Sequence, residues 1–153
     1  MEQGPELSMR SGTNLGKELG MLPQCMALNQ PEPRELDVPG CVTSIWAGAY
    51  HSALTTADGR LWLWGSNNHG QLGFGKHVRE LRSPQPLLSG IAFASLGGFH
   101  SAAVDADGKL FTWGDNKRGQ CGQGEAVLVE RPTRLLLAPG APSCIGASCG
   151  GFF

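Results

Sequence analysis

Arg60-Leu-Trp-Leu-Trp64 is apolar in both phases of a two-residue alternation. Successive side chains on a strand point to opposite faces, so Trp62 and Trp64 share one face and Leu61 and Leu63 the other. A strand apolar on both faces belongs between two neighbouring sheets. Val42 to Ala47, following Gly40 and rich in β-formers, predicts another strand, and Ser52-Ala-Leu-Thr-Thr56 a third. Asp58-Gly59 stands where the chain must reverse, and glycine tolerates the positive φ that a tight turn demands. Gly65 to Gly75 reads as a loop and Lys76 to Arg82 as a charged excursion. Pro84 and Pro86 then open a fourth, edge-like strand through Leu87-Leu88.

The same pattern recurs without insertion or deletion, at a period of roughly 50 residues. Gly48, His51, Asp58, Gly59, Trp64, Gly65, Asn67, Gly70, Gln71 and Gly73 meet Gly97, His100, Asp107, Gly108, Trp113, Gly114, Asn116, Gly119, Gln120 and Gly122. Phe111 and Trp113 take the phase of Trp62 and Trp64, and Pro132 followed by Leu135-Leu-Leu137 predicts the closing strand. A further copy starts at Ala147-Ser-Cys-Gly-Gly-Phe152, which repeats Ala94-Ser-Leu-Gly-Gly-Phe99, and Phe153 stands in the histidine slot. A worn copy precedes them: Gly12-Thr-Asn14, Glu18-Leu-Gly20 and Pro31-Glu-Pro33 match Gly65-Ser-Asn67, Gln71-Leu-Gly73 and Pro84-Gln-Pro86 at one offset. The expected organisation is an N-terminal extension (1–10), a degenerate partial repeat (11–40), repeats at 41–89 and 90–138, and the start of another at 144–153.

Composition narrows the class. With 23 glycines and 10 prolines in 153 residues, a helical protein is excluded and an all-β fold expected. A formal net charge of −1 gives no long-range pull toward nucleic acid or an anionic membrane. No apolar run reaches membrane-spanning length, and the first residues, with Glu2 and Glu6, lack a signal-peptide core. The five cysteines are odd in number and show no CxxC pair, which suits free thiols in a reducing compartment. An intracellular location, cytoplasmic or nuclear, is expected.

Gly-x-x-His-Ser-Ala, then Asp-Gly-x-Leu-x-x-Trp-Gly-x-Asn-x-x-Gly-Gln-x-Gly in the first copy, closely followed in the second, resembles the regulator of chromosome condensation repeat family. Kelch and WD-repeat propellers are the competing readings, and the Gly-His…Trp-Asp signature of the WD repeat does not fit. The resemblance implies four-stranded antiparallel blades, of which usually seven close a ring. Two full and two partial repeats fall short of that, so the expectation is a partial β-propeller and a fragment or short isoform of a larger protein.

Candidate chemistry weighs little against architecture. His51-Ser52 and His100-Ser101 suggest a nucleophile pair, but a catalytic constellation needs a converging base and acid, and a pair repeated in each blade marks construction. The histidines are expected within blades, bonding backbone groups, and Gln71 and Gln120 across turns. Asp105-Ala-Asp107-Gly108 lacks the spacing and the terminal glutamate of a calcium loop. Gly119-Gln-Cys-Gly122-Gln-Gly124 precedes no helix that could seat a phosphate. No metal, cofactor or catalytic residue is assigned. The unrepeated loop cations Lys76, Arg79, Arg82, Lys117 and Arg118 are the candidates for contact with a partner protein. The expected function is a non-catalytic interaction scaffold. The resemblance also allows nucleotide exchange on a small Ras-like GTPase, or a recognition arm of a larger ubiquitin ligase or kinase.

Overall fold

The structure, a computed structural model, describes residues 35–151. The N-terminal extension, most of the worn repeat, Phe152 and Phe153 lie outside the described residues. Eight strands follow in chain order: β1 (Val42–Ala47), β2 (His51–Thr56), β3 (Leu61–Ser66), β4 (Glu80–Leu88), β5 (Ile91–Leu96), β6 (His100–Asp105), β7 (Leu110–Asp115) and β8 (Leu128–Arg134). They form two antiparallel four-stranded sheets, β1-β2-β3-β4 and β5-β6-β7-β8. The fold is all-β, two blades of a partial propeller.

The hairpin signals act through glycine alone. Thr56 carbonyl accepts from Gly59 N–H at 2.8 Å, and Thr56 N–H donates to Arg60 carbonyl at 3.0 Å. Gly59 has φ +76°, and no non-glycine residue among those described has positive φ. The loop is therefore the three-residue kind closed by a left-handed glycine, not a two-residue Asp-Gly turn with both residues left-handed. Asp105 to Lys109 repeats it, with Gly108 at φ +77°.

Both outer strands lie earlier in the chain than their leucines suggest. β4 starts at Glu80, where Glu80 faces Ser66 and Leu81 faces Gly65, so the charged excursion ends inside the sheet. The register jumps between Leu63 and Gly65, and the slack accommodates Pro84, which has no N–H to offer. β8 runs over Leu128–Arg134 instead of Leu135–Leu137. Leu135 N–H still donates to Leu110 carbonyl at 2.8 Å. Leu110 is where β7 begins, so nothing beyond it remains to pair with, and Leu136 emerges 82% exposed.

The double-sided apolar strand has the role its pattern implies. Leu61 and Leu63, both at 0% exposure, pack with Ala53 and Leu72 against Ala94, Ala103 and Trp113 of the second blade. On the other face Trp62 and Trp64 pack with Leu54, covered by Leu36 and Val38. Burial of each leucine contributes about 2 kcal/mol. Backbone bonds fix the step between units: Ile91 N–H donates to Gly59 carbonyl at 2.9 Å, and Cys144 N–H to Gly108 carbonyl at 3.0 Å. Residues 144–151 thus sit against the second blade much as β5 sits against the first, with Gly98 N–H bonded to Gly151 carbonyl at 2.9 Å.

Gly65 and Gly114, each next to last in β3 and β7, have φ +109° and +108°. A Cβ at Gly65 would meet Tyr50 carbonyl oxygen at 2.7 Å and His51 Cα at 2.8 Å; one at Gly114 would meet Phe99 oxygen at 2.5 Å and His100 Cα at 2.6 Å. Backbone atoms cannot rotate away, so Gly65→Ala and Gly114→Ala each lose about 3 kcal/mol or more in urea unfolding. Gly90→Ala, with φ +70° but open space around it, loses about 1 kcal/mol.

Candidate functional site

The repeated polar residues converge between the blades, and the loop after β3 brings them there. Asn67 Oδ1 accepts from Leu72 N–H at 2.8 Å, while its Nδ2 donates to Val78 carbonyl at 2.6 Å and Gly75 carbonyl at 3.1 Å. One carboxamide thus organises the entire loop. Asn116 does the same after β7, accepting from Cys121 N–H at 2.8 Å and donating to Ala126 and Gly124 carbonyls. Gly70 and Gly73 let the first loop lie against Leu128, Pro132 and Trp113 of the next blade. Gly48 and Gly97 leave room for the rings of His51 and His100, and each lies close to the next unit's backbone.

The loop delivers the carbonyl of Gln71 into the interface, where it accepts two bonds. Ser101 Oγ donates at 2.7 Å and Trp113 Nε1 at 2.8 Å. Ser101 Oγ also lies 2.7 Å from His51 Nε2. Since the serine hydrogen is committed to the carbonyl, His51 carries its proton on Nε2 and donates. The chain of donation runs from His51 through Ser101 to Gln71, and Nδ1 of His51 is left as a bare, buried acceptor. The expected histidine–backbone bond is replaced by a bond to a serine side chain of the adjacent blade.

This geometry suits cohesion and not nucleophilic catalysis. His51, Gln71 and Ser101 are each at 0% exposure. Burial, with His100 as a second like charge, lowers the His51 pKa from 6.5 to about 3. Burial also lowers that of His100, with Asp115 opposing. A buried serine whose proton is already given to a carbonyl has no reacting group within reach. Burial pushes the Cys121 thiol up to about 12, with Cys149 and Asp115 adding to the rise, so its reactive thiolate is suppressed.

The glutamines take the turn bonds as well. Gln71 Oε1 accepts from His69 N–H at 2.8 Å and Gln120 Oε1 from Arg118 N–H at 2.9 Å. Gln120 Nε2 continues to Asp115 Oδ2 at 3.0 Å. The first blade has Ser66 in the place of Asp115, and Gln71 Nε2 is left without a partner.

The hairpin carboxylates are spent locally. Thr56 Oγ1 donates to Asp58, whose pKa falls through that bond first, and Arg60 pairs with Asp58 at 3.1 Å. Lys109 pairs with Asp107 at 2.7 Å, lowering the pKa of Asp107 and raising its own. Asp105 Oδ1 accepts from Asp107 and Lys109 N–H groups, which is turn geometry. Among the described residues no group of three or more His, Cys, Asp or Glu could hold a metal ion. A cleft of about 270 Å³ between the second hairpin and residues 134–143 is lined by Asp107, Lys109, Arg134 and Ser143, its Asp107 and Lys109 already paired.

The unrepeated cations lie away from this interface. Lys76, Arg79, Arg82, Lys117 and Arg118 are all exposed. Arg82 pairs with Glu80 at 3.1 Å and Lys76 approaches Glu130 at 4.0 Å. Beside them lies a group that sequence reasoning missed. Tyr50 and Phe99 stack at 5.2 Å and 10° between planes, and His69 tilts onto Phe99 at 4.4 Å. Tyr50 and Phe99 share the slot before the repeated histidine, a signal that was present in the alignment of the two copies.

The buried imidazole has a pH signature. Below about 6.5 an unfolded His51 takes a proton and the folded one does not, down to about 3, so stability falls as the solution is acidified through that window. The slope for this one group is up to about 1.4 kcal/mol per pH unit. His51→Gln keeps a donor and removes the titration. Urea unfolding at pH 7 and pH 5 shows the variant losing less stability between the two than the parent chain.

Comparison with known proteins agrees with the geometry. A profile of the regulator of chromosome condensation (RCC1) repeat matches residues 58–104 and 107–153, and a second profile of that repeat matches 42–71 and 91–120. The probable E3 ubiquitin-protein ligases HERC6 and HERC3 of Homo sapiens are each 39% identical over 57 residues, 36% of this chain. The match spans only 6% of HERC6 and 5% of HERC3. Human WBSCR16 superposes with a TM-score of 0.76 at 25% identity, over 91% of this chain and 37% of that one. Prp20p of Saccharomyces cerevisiae, described with its binding to Gsp1p and histones, gives 0.78 at 24% identity over 89% and 35%. Two tandem profile matches, together with two successive four-stranded blades, place the chain in the regulator of chromosome condensation (RCC1) repeat family.

Proposed function

We propose that the chain is a non-catalytic scaffold for protein–protein contact, binding through loops at the end of the blades where the β3–β4 and β7–β8 connections lie. One observation carries this reading. The polar residues that recur in both blades are engaged in holding turns and blades together, whereas the exposed cations Lys76, Arg79, Arg82, Lys117 and Arg118 differ between the repeats. A rigid frame with variable loops is the arrangement by which such folds present binding residues. A location in the cell interior, cytoplasmic or nuclear, accords with it. No helix among the described residues is long and apolar enough to cross a membrane.

A second reading has a specific observation behind it. The stretch shared with ligases of the HERC kind favours a recognition arm, in which these blades choose a target for chemistry performed elsewhere in a longer protein. Both readings assign the blades to binding. Exchange on a small Ras-like GTPase is the competing activity, suggested by the named binding of Prp20p to Gsp1p.

Release of a fluorescent GDP analogue from a panel of Ras-like GTPases separates the two. The scaffold and recognition-arm readings expect unchanged release with every member at saturating chain. Acceleration with any GTPase, abolished by excess unlabelled exchange-dead chain, overturns them in favour of exchange.

A further inference from the structure

The two ends of the blades differ in charge, and the difference arises from topology. β1 runs toward its turn at residues 48–50 and β3 toward its loop at 67–79, so these connections emerge at one end. The turn at 97–99 and the loop at 116–127 emerge there too, because Ala49 N–H bonds Gly97 carbonyl at 3.2 Å and Gly75 N–H bonds Glu130 carbonyl at 3.1 Å. Within these four connections the sequence places four cations, Lys76, Arg79, Lys117 and Arg118, and one acid, Glu125. Of the acids at the adjoining strand ends, Glu80 pairs with Arg82 at 3.1 Å, Glu130 lies 4.0 Å from Lys76 and Asp115 accepts from Gln120, which leaves this end with a small net positive charge. At the opposite end the two hairpins neutralise themselves, Asp58 with Arg60 and Asp107 with Lys109.

The basic end also carries a partly exposed apolar strip. Tyr50, 41% exposed, stacks on Phe99, and His69 tilts onto the same ring. The strip continues outward, since a Cβ on Gly70 would lie 3.1 Å from Leu128 Cδ1. Leu128 is 39% exposed and its neighbour Val127 64% exposed. Exposed aromatic and aliphatic side chains flanked by cations match a ligand that is apolar in the middle and anionic on either side.

We propose that this end binds an acidic protein segment carrying an aromatic or aliphatic anchor, the anchor lying on Tyr50, Phe99 and His69 and the acids on Lys76, Arg79 and Lys117. This rests on the scaffold reading and adds the partner's chemistry and the end of the blades that receives it. The cations steer and select, and their contribution weakens with salt. The apolar strip supplies the attraction that salt leaves intact.

The test uses the full chain and a fluorescein-labelled peptide of alternating Glu and Asp with a central Phe-Leu pair, read by anisotropy. Saturable binding is expected, weakened by added salt. The triple variant Lys76→Glu/Arg79→Glu/Lys117→Glu binds at least about ten-fold more weakly. Tyr50→Ser loses several-fold in affinity, with the residual binding still salt-dependent. Arg60→Glu/Lys109→Glu at the opposite end leaves affinity unchanged, and circular dichroism confirms that every variant is folded. Equal binding of a peptide with Lys replacing the acids, tighter binding of a single-stranded oligonucleotide of equal charge, or indifference to the triple variant overturns the proposal. A protein partner lost on Asp58→Lys/Asp107→Lys but kept by the triple variant also overturns it, while leaving the scaffold reading intact.

Discussion

The two blades meet around one backbone oxygen. Gln71 carbonyl is fully buried with its residue, and it is kept from being an orphaned acceptor by Ser101 and Trp113 of the next blade. An unpaired buried carbonyl would cost on the order of 1–3 kcal/mol, so blade contact and polar satisfaction become the same event. Everything near it serves the aim of that oxygen. Asn67 closes the loop, Gly70 and Gly73 let it approach, Leu72 anchors it in the apolar interface, and His51 holds the serine hydroxyl in line. The tryptophan earns its place twice, as apolar bulk filling the interface and as the N–H that crosses it.

Much of this was legible before any coordinates. Period-two alternation placed Leu61 and Leu63 opposite Trp62 and Trp64, and the two clusters divide along that line. Glycine after aspartate located both hairpins. The outer strands were harder, because pairing there depends on where the neighbouring strand begins and ends. Leu135-Leu-Leu137 looks like a strand, yet β7 starts at Leu110 and offers nothing further along. Glu80-Leu-Arg82 looks like a loop, yet β3 runs to Ser66 and leaves ladder groups for it to meet. Propensity describes a segment, whereas an edge strand is defined by its partner.

The interface chemistry was half legible for a related reason. The recurrence of His and Ser was plain, and their adjacency in sequence suggested that each pair worked together. In the structure His51 bonds Ser101, fifty positions away by the bond itself, and passes over Ser52. Adjacent residues on a strand point to opposite faces, so His51 and Ser52 cannot share an interface. In a repeat protein each unit contacts its neighbours, so a face that leaves one blade meets the opposite face of the next. The partner of His51 is therefore the next copy of the serine beside it, Ser101 in place of Ser52, a relation the two copies already contained.

The departure between copies carries the remaining argument. Asp115 gives Gln120 Nε2 an acceptor, and Ser66 in the same slot leaves Gln71 Nε2 without one. Yet Gln71 is the glutamine whose carbonyl is flanked by a second described blade. Its position is fixed by three other bonds, through His69 N–H, Ser101 and Trp113, so the amide end can go unpaired without freeing the loop. Gln120 has an exposed loop around it, Lys117, Arg118 and Gly119 among its neighbours, and the carboxylate steadies that loop from below. Divergence between the blades is thus concentrated where a loop faces solvent, and identity where a blade faces a blade.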